Sequence, residues 1–181
     1  MPRPSIFSFC FGDAGEWRIA SMRAVVGSAP PPAERLAVRE GVLADQAGFV
    51  LRGTTSNARY SKRAELDALA ARQEELGRPT ATRAALIPIR KSEAWWALAQ
   101  DERRAVMEER SRHIAIGLDY LPAVARRLHH GRDLGEPFDF LTWFEYAPEH
   151  EDAFETLVTR LRETEEWRFV EHEVDVRLVR D

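Results

Sequence analysis

Apolar and polar residues alternate along several short stretches of the chain, which is the pattern of half-buried β-strands. Bulky residues occupy both faces of the stretch that ends at Tyr146, so this strand is expected in the middle of a sheet, covered on both sides. Pro88 lacks an N–H and therefore places its strand at a sheet edge or near a strand end. The predicted strands are Ile6–Phe11, Trp17–Val26, Phe49–Thr54, Arg83–Arg90, Phe138–Tyr146 and Glu173–Leu178.

Other stretches repeat apolar residues every three or four positions, as amphipathic helices do. The helix that starts at Pro148 has acidic residues in its first turn and Arg160 and Arg162 in its last, in agreement with the helix dipole. Its apolar stripe is Ala153, Phe154, Leu157, Val158 and Leu161. Further helices are predicted over Ala33–Glu40, Lys62–Leu76, Ser92–Leu98 and Asp101–Gly117, and after Pro122 in the segment that carries Arg126.

Helices segregated against mixed sheets indicate an α+β fold. The stretch Gly77–Thr82 contains glycine and proline and is the most plausible seam between two halves of the chain. No internal repeat is visible in the sequence.

Composition narrows the class of protein. The chain has 181 residues, 44% hydrophobic and 31% charged, and a net charge of -4 with acidic and basic residues interleaved. This balance argues against nucleic-acid binding, and no apolar run reaches the roughly 20 residues needed to span a bilayer. Cys10 is the only cysteine, which excludes an intramolecular disulfide and a thiolate metal cage. The N-terminus is interpreted as the first strand of a mature cytoplasmic protein.

His113 is the first candidate for chemistry. On a continuous helix, Val106, His113 and Gly117 share one face, so the imidazole points toward buried apolar surface and the glycine allows a flat molecule to approach. The alternative is a core histidine that bonds to a carbonyl. From this feature alone, the core histidine is the preferred interpretation.

Arg126 is the second candidate. Gly117 and Pro122 break the helix that follows His113, so a folded-back segment could present His113 and Arg126 to opposite faces of one planar ligand. The alternative is a solvated surface arginine. The neighbouring pair His129 and His130 would point about 100° apart on a helix, which favours surface or interface positions over a bidentate metal site.

Three more residues suggest a polar pocket. Gln73 stands where the apolar face of the helix Lys62–Leu76 predicts leucine, so its amide either bonds to backbone or lines a polar pocket. Lys91 and Trp95 are one helical turn apart and could place an ammonium at a carboxylate and an indole beside a ring. The alternative is a surface lysine that lies over an aromatic ring.

Four segments contain these candidate residues, and they are Ser56–Tyr60, Gln73–Trp96, Arg110–His150 and Thr164–Leu178. Taken together, these segments resemble chlorite dismutase, in the short-chain, dimeric branch of that haem b family. The resemblance covers nearly the whole chain and involves many motifs.

The resemblance implies paired ferredoxin-like α+β halves of the dimeric α/β barrel type. Residues 1–79 would form a reduced N-terminal half, and residues 80–181 a C-terminal half that holds the haem. The short N-terminal part implies a homodimer.

The resemblance also assigns roles to individual residues. His113 matches the proximal iron ligand, and Glu166 matches the carboxylate that accepts its Nδ1 proton. Arg126 matches a flexible distal arginine, and Gln73 the amide that holds it in one orientation. The residues that match the haem edge and propionates are Lys91, Trp95, Asn57 and Tyr60.

The activity implied is conversion of chlorite to chloride and dioxygen, through an oxoferryl species and transient hypochlorite. Chlorite and other small anions would be the ligands, attracted by the permanent charge of Arg126. Two alternatives share this fold: a coproporphyrin-haem decarboxylase, whose relatives usually lack the distal arginine, and a non-catalytic protein that binds or senses haem.

Overall fold

The computed structural model describes residues 4–42, 48–55 and 59–181, and the strands of these residues close into a barrel. Neighbouring strands around the barrel are antiparallel throughout, in the order β1-β3-β2-β8-β5-β7-β6-β4. The strands are β1 (Ile6–Gly12), β2 (Trp17–Val26), β3 (Arg35–Glu40), β4 (Phe49–Thr55), β5 (Arg83–Lys91), β6 (Ala125–His130), β7 (Phe140–Tyr146) and β8 (Val170–Val179).

The first four strands and the last four strands each form a contiguous half of the barrel. In both halves the strands lie in the order fourth, first, third, second. The α-helices are α1 (Arg63–Arg72), α2 (Glu93–Ala97), α3 (Gln100–Arg104), α4 (His113–Leu118) and α5 (Glu151–Arg162). All of them except α1 follow β5 and so belong to the second half of the barrel. Within the described ranges, no helix combines the length and apolar character needed to cross a membrane.

Two apolar clusters stabilise the barrel. One fills its interior with alternate residues of the strands, among them Leu86 of β5 and Trp143 of β7. The other lies outside β5, β7 and β8, where Ile87 and Phe144 meet the buried stripe of α5. That stripe contains Phe154, Leu157, Val158 and Leu161, as the sequence predicted.

Two segments predicted as helices are strands. Residues 35–40 pair with β1 along their full length, so the prolines at 30–32 precede a strand and do not open a helix. The segment that carries Arg126 is β6, which pairs with β7 from Ala125 to His130. In both cases non-local backbone pairing outweighs a weak local preference.

The predicted continuous helix Asp101–Gly117 is also wrong. The chain forms α3, continues as a π-helical segment (Ala105–Arg110) and turns at Arg112, whose φ of 55° is left-handed. His113 then starts a separate helix, α4. His113 therefore does not reach the site by lying on one face of a long helix with Val106.

Smaller corrections concern Pro88 and the helix before Gln73. Pro88 lies within β5, opposite Leu141 of β7, and pairing with β8 continues on both sides, at Leu86 and Ile89. A closed barrel has no edge strand, so proline is accommodated where the ladder with one neighbour is interrupted. The helix predicted to reach Leu76 ends at Arg72, and Gln73 is its extended C-cap residue.

His129 and His130 are buried, contrary to the prediction of surface or interface positions. On a strand they point to opposite faces, His129 into the barrel and His130 outward. Arg127 donates from Nε to Nε2 of His129 at 2.9 Å. The proton of His129 is therefore on Nδ1, which lies 3.0 Å from the carbonyl oxygen of Leu141.

Acid should destabilise the protein through His129. Burial lowers its pKa to about 4, whereas the unfolded value is near 6.5, so the unfolded chain takes up the proton first as the pH falls. Stability is then lost between pH 6.5 and pH 4, with about 2 kcal/mol gone at pH 5. Urea unfolding at pH 7 and pH 5 measures this loss, which His129→Gln should reduce. Equal pH dependence in the two proteins would contradict the assignment.

Candidate active site

A cavity of about 430 Å³ lies on the outer face of β5, β6 and β7, between that face and the helices. This volume is in the range of small-molecule and cofactor sites. Its walls are mainly apolar, with a few polar groups at defined places. The candidate residues His113, Arg126, Gln73, Glu166, Lys91 and Trp95 all line it, as does Tyr60. Asn57 lies outside the described residues.

A carboxylate fixes the start of the helix that bears His113. Glu108, in the π-helical segment, accepts hydrogen bonds from the backbone N–H groups of Ile114 at 2.6 Å and Ala115 at 3.3 Å. These two groups lack partners within the helix, and a negative charge at a helix N-terminus is favourable. Glu108 thus compensates for the left-handed turn at Arg112 and sets the direction of His113.

Glu108→Ala should therefore loosen α4. Loss of a helix-capping side chain costs about 1 kcal/mol, and His113 should lose its fixed orientation. Hydrogen exchange of the amides of Ile114 and Ala115 measures the effect, with Glu109→Ala as the control in the same segment. Unchanged protection of these amides in Glu108→Ala would contradict the capping role.

His113 is held by a buried carboxylate that also binds a lysine. Its Nδ1 donates to Oε2 of Glu166 at 2.6 Å, and Nζ of Lys91 donates to Oε1 of the same group at 2.8 Å. The N–H of Glu166 donates to the hydroxyl of Ser111 at 2.9 Å. Lys91 is 4% exposed, so the interpretation of a surface lysine is wrong.

The charges around Glu166 keep it ionised. Burial raises the pKa of the carboxyl, but His113 and Lys91 outweigh that effect and hold the pKa well below its usual range. A carboxylate on Nδ1 fixes the proton there and makes the opposite nitrogen, Nε2, a better ligand. The His113 side chain is 29% exposed and lines the cavity, so the ring can be reached from there.

Arg126 projects from the outward face of β6 and crosses the cavity to α4. Its guanidinium lies directly on Gly117, where a Cβ would collide with Nη1. Gly117 is one turn after His113, so both side chains meet in one cavity, with the guanidinium resting on the His113 helix. Burial lowers the pKa of Arg126 to about 10, which still leaves a cation at neutral pH.

Gln73 lies beside Arg126 and combines the two possibilities that the sequence left open. Its Nε2 donates to the backbone carbonyl of Arg126, and its side chain also lines the cavity. Gln73 thus contacts the backbone of β6 and not the guanidinium of Arg126. This contact lies beyond the part of β6 that pairs with β4, which is His129 and His130.

Trp95 lies at the end of the cavity that is away from the base of the Arg126 side chain. This indole is 1% exposed, Nζ of Lys91 lies 4.2 Å from its ring centre, and Tyr60 meets it edge-on. Arg103 donates to the hydroxyl of Tyr60 at 3.1 Å, and Arg104 donates to its carbonyl. Nε1 of Trp95 is buried and has no hydrogen-bond partner among the described residues.

The sequence analysis missed other parts of the lining. Alternate residues of β5 and β7 form its floor, including Ile87, Ile89, Phe140 and Phe144. Their period of two was visible in strands that were themselves predicted, so this floor could have been found. Trp167 was also missed; it lies beside the ring of His113 and donates from Nε1 to Glu173 at 2.7 Å.

Comparison with known proteins places this arrangement in a family. The family model for chlorite dismutase matches residues 37–180. A crystal structure of a dimeric chlorite dismutase from Nitrobacter winogradskyi superposes with a TM-score of 0.90 and 56% identity, covering 97% of this chain and 99% of that one.

More distant structures share the fold. A mutant chlorite dismutase from Candidatus Nitrospira defluvii has a TM-score of 0.67 and 19% identity, over 98% of this chain and 91% of that one. The same organism's chlorite dismutase in complex with imidazole has a TM-score of 0.62 and 19% identity, over 97% and 90%. From the family match and the 56% identity, we conclude that the chain belongs to the chlorite dismutase family and is an enzyme of that family.

Proposed function

We propose that this protein binds haem b in the cavity and converts chlorite to chloride and dioxygen as a homodimer. The observation that carries the proposal is His113, whose Nδ1 is bound to an ionised, buried Glu166 while its partly exposed ring lines a largely apolar cavity. The relative from Nitrobacter winogradskyi is described as a dimeric chlorite dismutase, which supports both the activity and the assembly.

The residues of the cavity fit haem b. An apolar space suits the porphyrin ring, and a histidine with a carboxylate partner suits its iron. Trp95 presents a buried N–H that has no partner in the described protein, and a propionate would accept it. Lys91 and Tyr60 surround that indole.

We extend the proposal to the fold: residues 1–79 and 80–181 would be ferredoxin-like halves, supported by their common strand order.

When bound, haem b would supply the redox chemistry for oxygen-atom transfer from chlorite. The protein would hold and orient the cofactor and retain the anions near it. His113 would bind the iron through Nε2, and Glu166 would fix the imidazole proton on Nδ1 and increase the electron donation of the ring. Lys91 balances the charge of Glu166 within the buried pair.

Arg126 would act on the anions. Its guanidinium is a cation at neutral pH and forms no ion pair within the described part of the chain, so its charge is available to chlorite. In a cavity with apolar walls this attraction is much stronger than in water. The same charge would retain hypochlorite, the anion that chlorite becomes when it gives up one oxygen atom, inside the cavity.

The overall reaction, ClO₂⁻ → Cl⁻ + O₂, neither takes up nor releases a proton. The site residues agree with this balance, because the carboxylate of Glu166 is committed to His113 and Lys91. Gln73 would contribute by holding the backbone of Arg126, so that the base of that side chain stays fixed while its guanidinium moves.

An oxygen electrode tests the proposal. Purified protein loaded with haem b should release one dioxygen per chlorite consumed, with chloride as the other product. Release of carbon dioxide from coproporphyrin-haem without dioxygen from chlorite would favour a decarboxylase. Tightly held haem with neither product would favour a sensor.

A further inference from the structure

Among the described residues that line the cavity, His130 carries a second buried nitrogen, after that of Trp95, that has no hydrogen-bond partner. Its side chain is 4% exposed, it lines the cavity, and its Nε2 makes no hydrogen bond among the described residues. An edge-to-face contact with Phe140, at 5.1 Å between ring centres, holds the imidazole plane. Buried polar atoms are normally paired, so an unpaired nitrogen on a cavity wall indicates a partner that binds there.

The strand register places His130 at the Trp95 end of the cavity. His130 is opposite Phe140, and Phe140 is opposite Ile89, two residues before Lys91. Four residues along β6 separate His130 from Arg126, a distance of about 13 Å, and both face the cavity. Two buried nitrogens without partners, from His130 and Trp95, thus belong to the end away from the base of Arg126.

The charges near His130 favour an anionic partner. Arg59 also lines the cavity and lies close enough to oppose protonation of the imidazole. Burial, together with Arg59, lowers the pKa of His130 to about 4, so the ring is neutral at pH 7 and has one N–H to donate. Asp133 pairs with Arg59 from outside and is 69% exposed.

We propose that His130 donates a hydrogen bond from Nε2 to a carboxylate at the acidic edge of the bound cofactor, alongside the N–H of Trp95. This inference rests on the proposed haem function and adds a binding residue to it. The contact would fix the rotation of the porphyrin in the cavity, because it would hold the carboxylate edge at the end of β6 that is farthest from the base of Arg126.

The test compares two forms of the cofactor. Apoprotein is titrated with haem b and with its dimethyl ester, which has no free carboxylates, and affinity is followed by quenching of tryptophan fluorescence. His130→Phe keeps an aromatic ring and removes both nitrogens. It should weaken haem b binding about tenfold or more and leave the ester unaffected. His130→Gln keeps an N–H donor near the same place and should restore most of the affinity.

Leu128→Ala is the matched control, since Leu128 lies on the same face of β6 and lines the cavity without a polar group. It should weaken haem b and the ester equally. Equal weakening of both ligands by His130→Phe would assign His130 a packing role only and overturn the inference. A changed Soret maximum in His130→Phe would make it an iron ligand and also overturn it. If the wild-type apoprotein binds neither ligand, the proposed haem function itself fails.

Discussion

Replacing His113 by alanine is expected to abolish stable haem incorporation. The substitution removes the nitrogen that would bind iron and leaves the buried carboxylate of Glu166 with Lys91 as its one partner among the described residues. Breaking a buried, paired charge in this way typically costs about 3–5 kcal/mol, so loss of the cofactor is expected together with lower stability. The measurement is Soret absorbance after reconstitution with haem b and gel filtration.

A control separates loss of the ligand from loss of the fold. His150→Ala removes a histidine outside the cavity and should retain the wild-type Soret band. Far-ultraviolet circular dichroism of His113→Ala should still report the barrel, and added imidazole should restore part of the Soret band by occupying the vacated position. An unchanged Soret spectrum in His113→Ala would refute the ligand assignment.

Replacing Arg126 by alanine should keep the haem but let hypochlorite escape. The variant loses the cation that attracts and retains anions, so the catalytic efficiency with chlorite should fall by up to about 10²-fold. Escaped hypochlorite should chlorinate a trapping reagent in solution and inactivate the protein after fewer turnovers. Arg126→Lys is the matched control because it keeps the charge but loses the planar fork.

The two Arg126 variants should therefore differ in trapped hypochlorite. We expect most release from the alanine variant, less from the lysine variant and least from the wild type. If the alanine variant releases no more hypochlorite than the wild type, Arg126 does not retain the intermediate. Its role would then be limited to attracting chlorite.

Much of the barrel was predictable from local pattern. The strand ending at Val26 was found because it alternates, with Trp17, Ile19 and Met22 toward the core, and the strand ending at Tyr146 because bulky residues occupy both of its covered faces. The stripe of α5 was found for the same reason with a helical period. In these elements the spacing of the apolar residues along the sequence indicates which face is buried.

β6 was not predictable in this way. Its sequence, from Ala125 to His130, has no β-branched residue and two adjacent arginines, and nothing local favours a strand. It is a strand because it pairs with β7 along its full length. The error mattered for the site, because the alternation of a strand is what brings Arg126 and His130 to the same cavity wall.

The interruption of the helix at Arg112 was also not predictable from the sequence. Arginine rarely adopts a left-handed φ, so no local pattern indicates that a helix ends there. The cap that makes the break tolerable comes from Glu108, four residues earlier. His113 was therefore singled out from a helical face that does not exist, and its link to Glu166 depended on family resemblance, since 53 residues separate the two.

The most direct test of the account uses chlorite labelled with ¹⁸O in ordinary water, with mass spectrometry of the gas that the haem-loaded protein releases. One cavity that takes the first oxygen and retains hypochlorite beside Arg126 should give dioxygen with both atoms from the same chlorite. Dioxygen that carries oxygen from water, or no dioxygen at all, would contradict it.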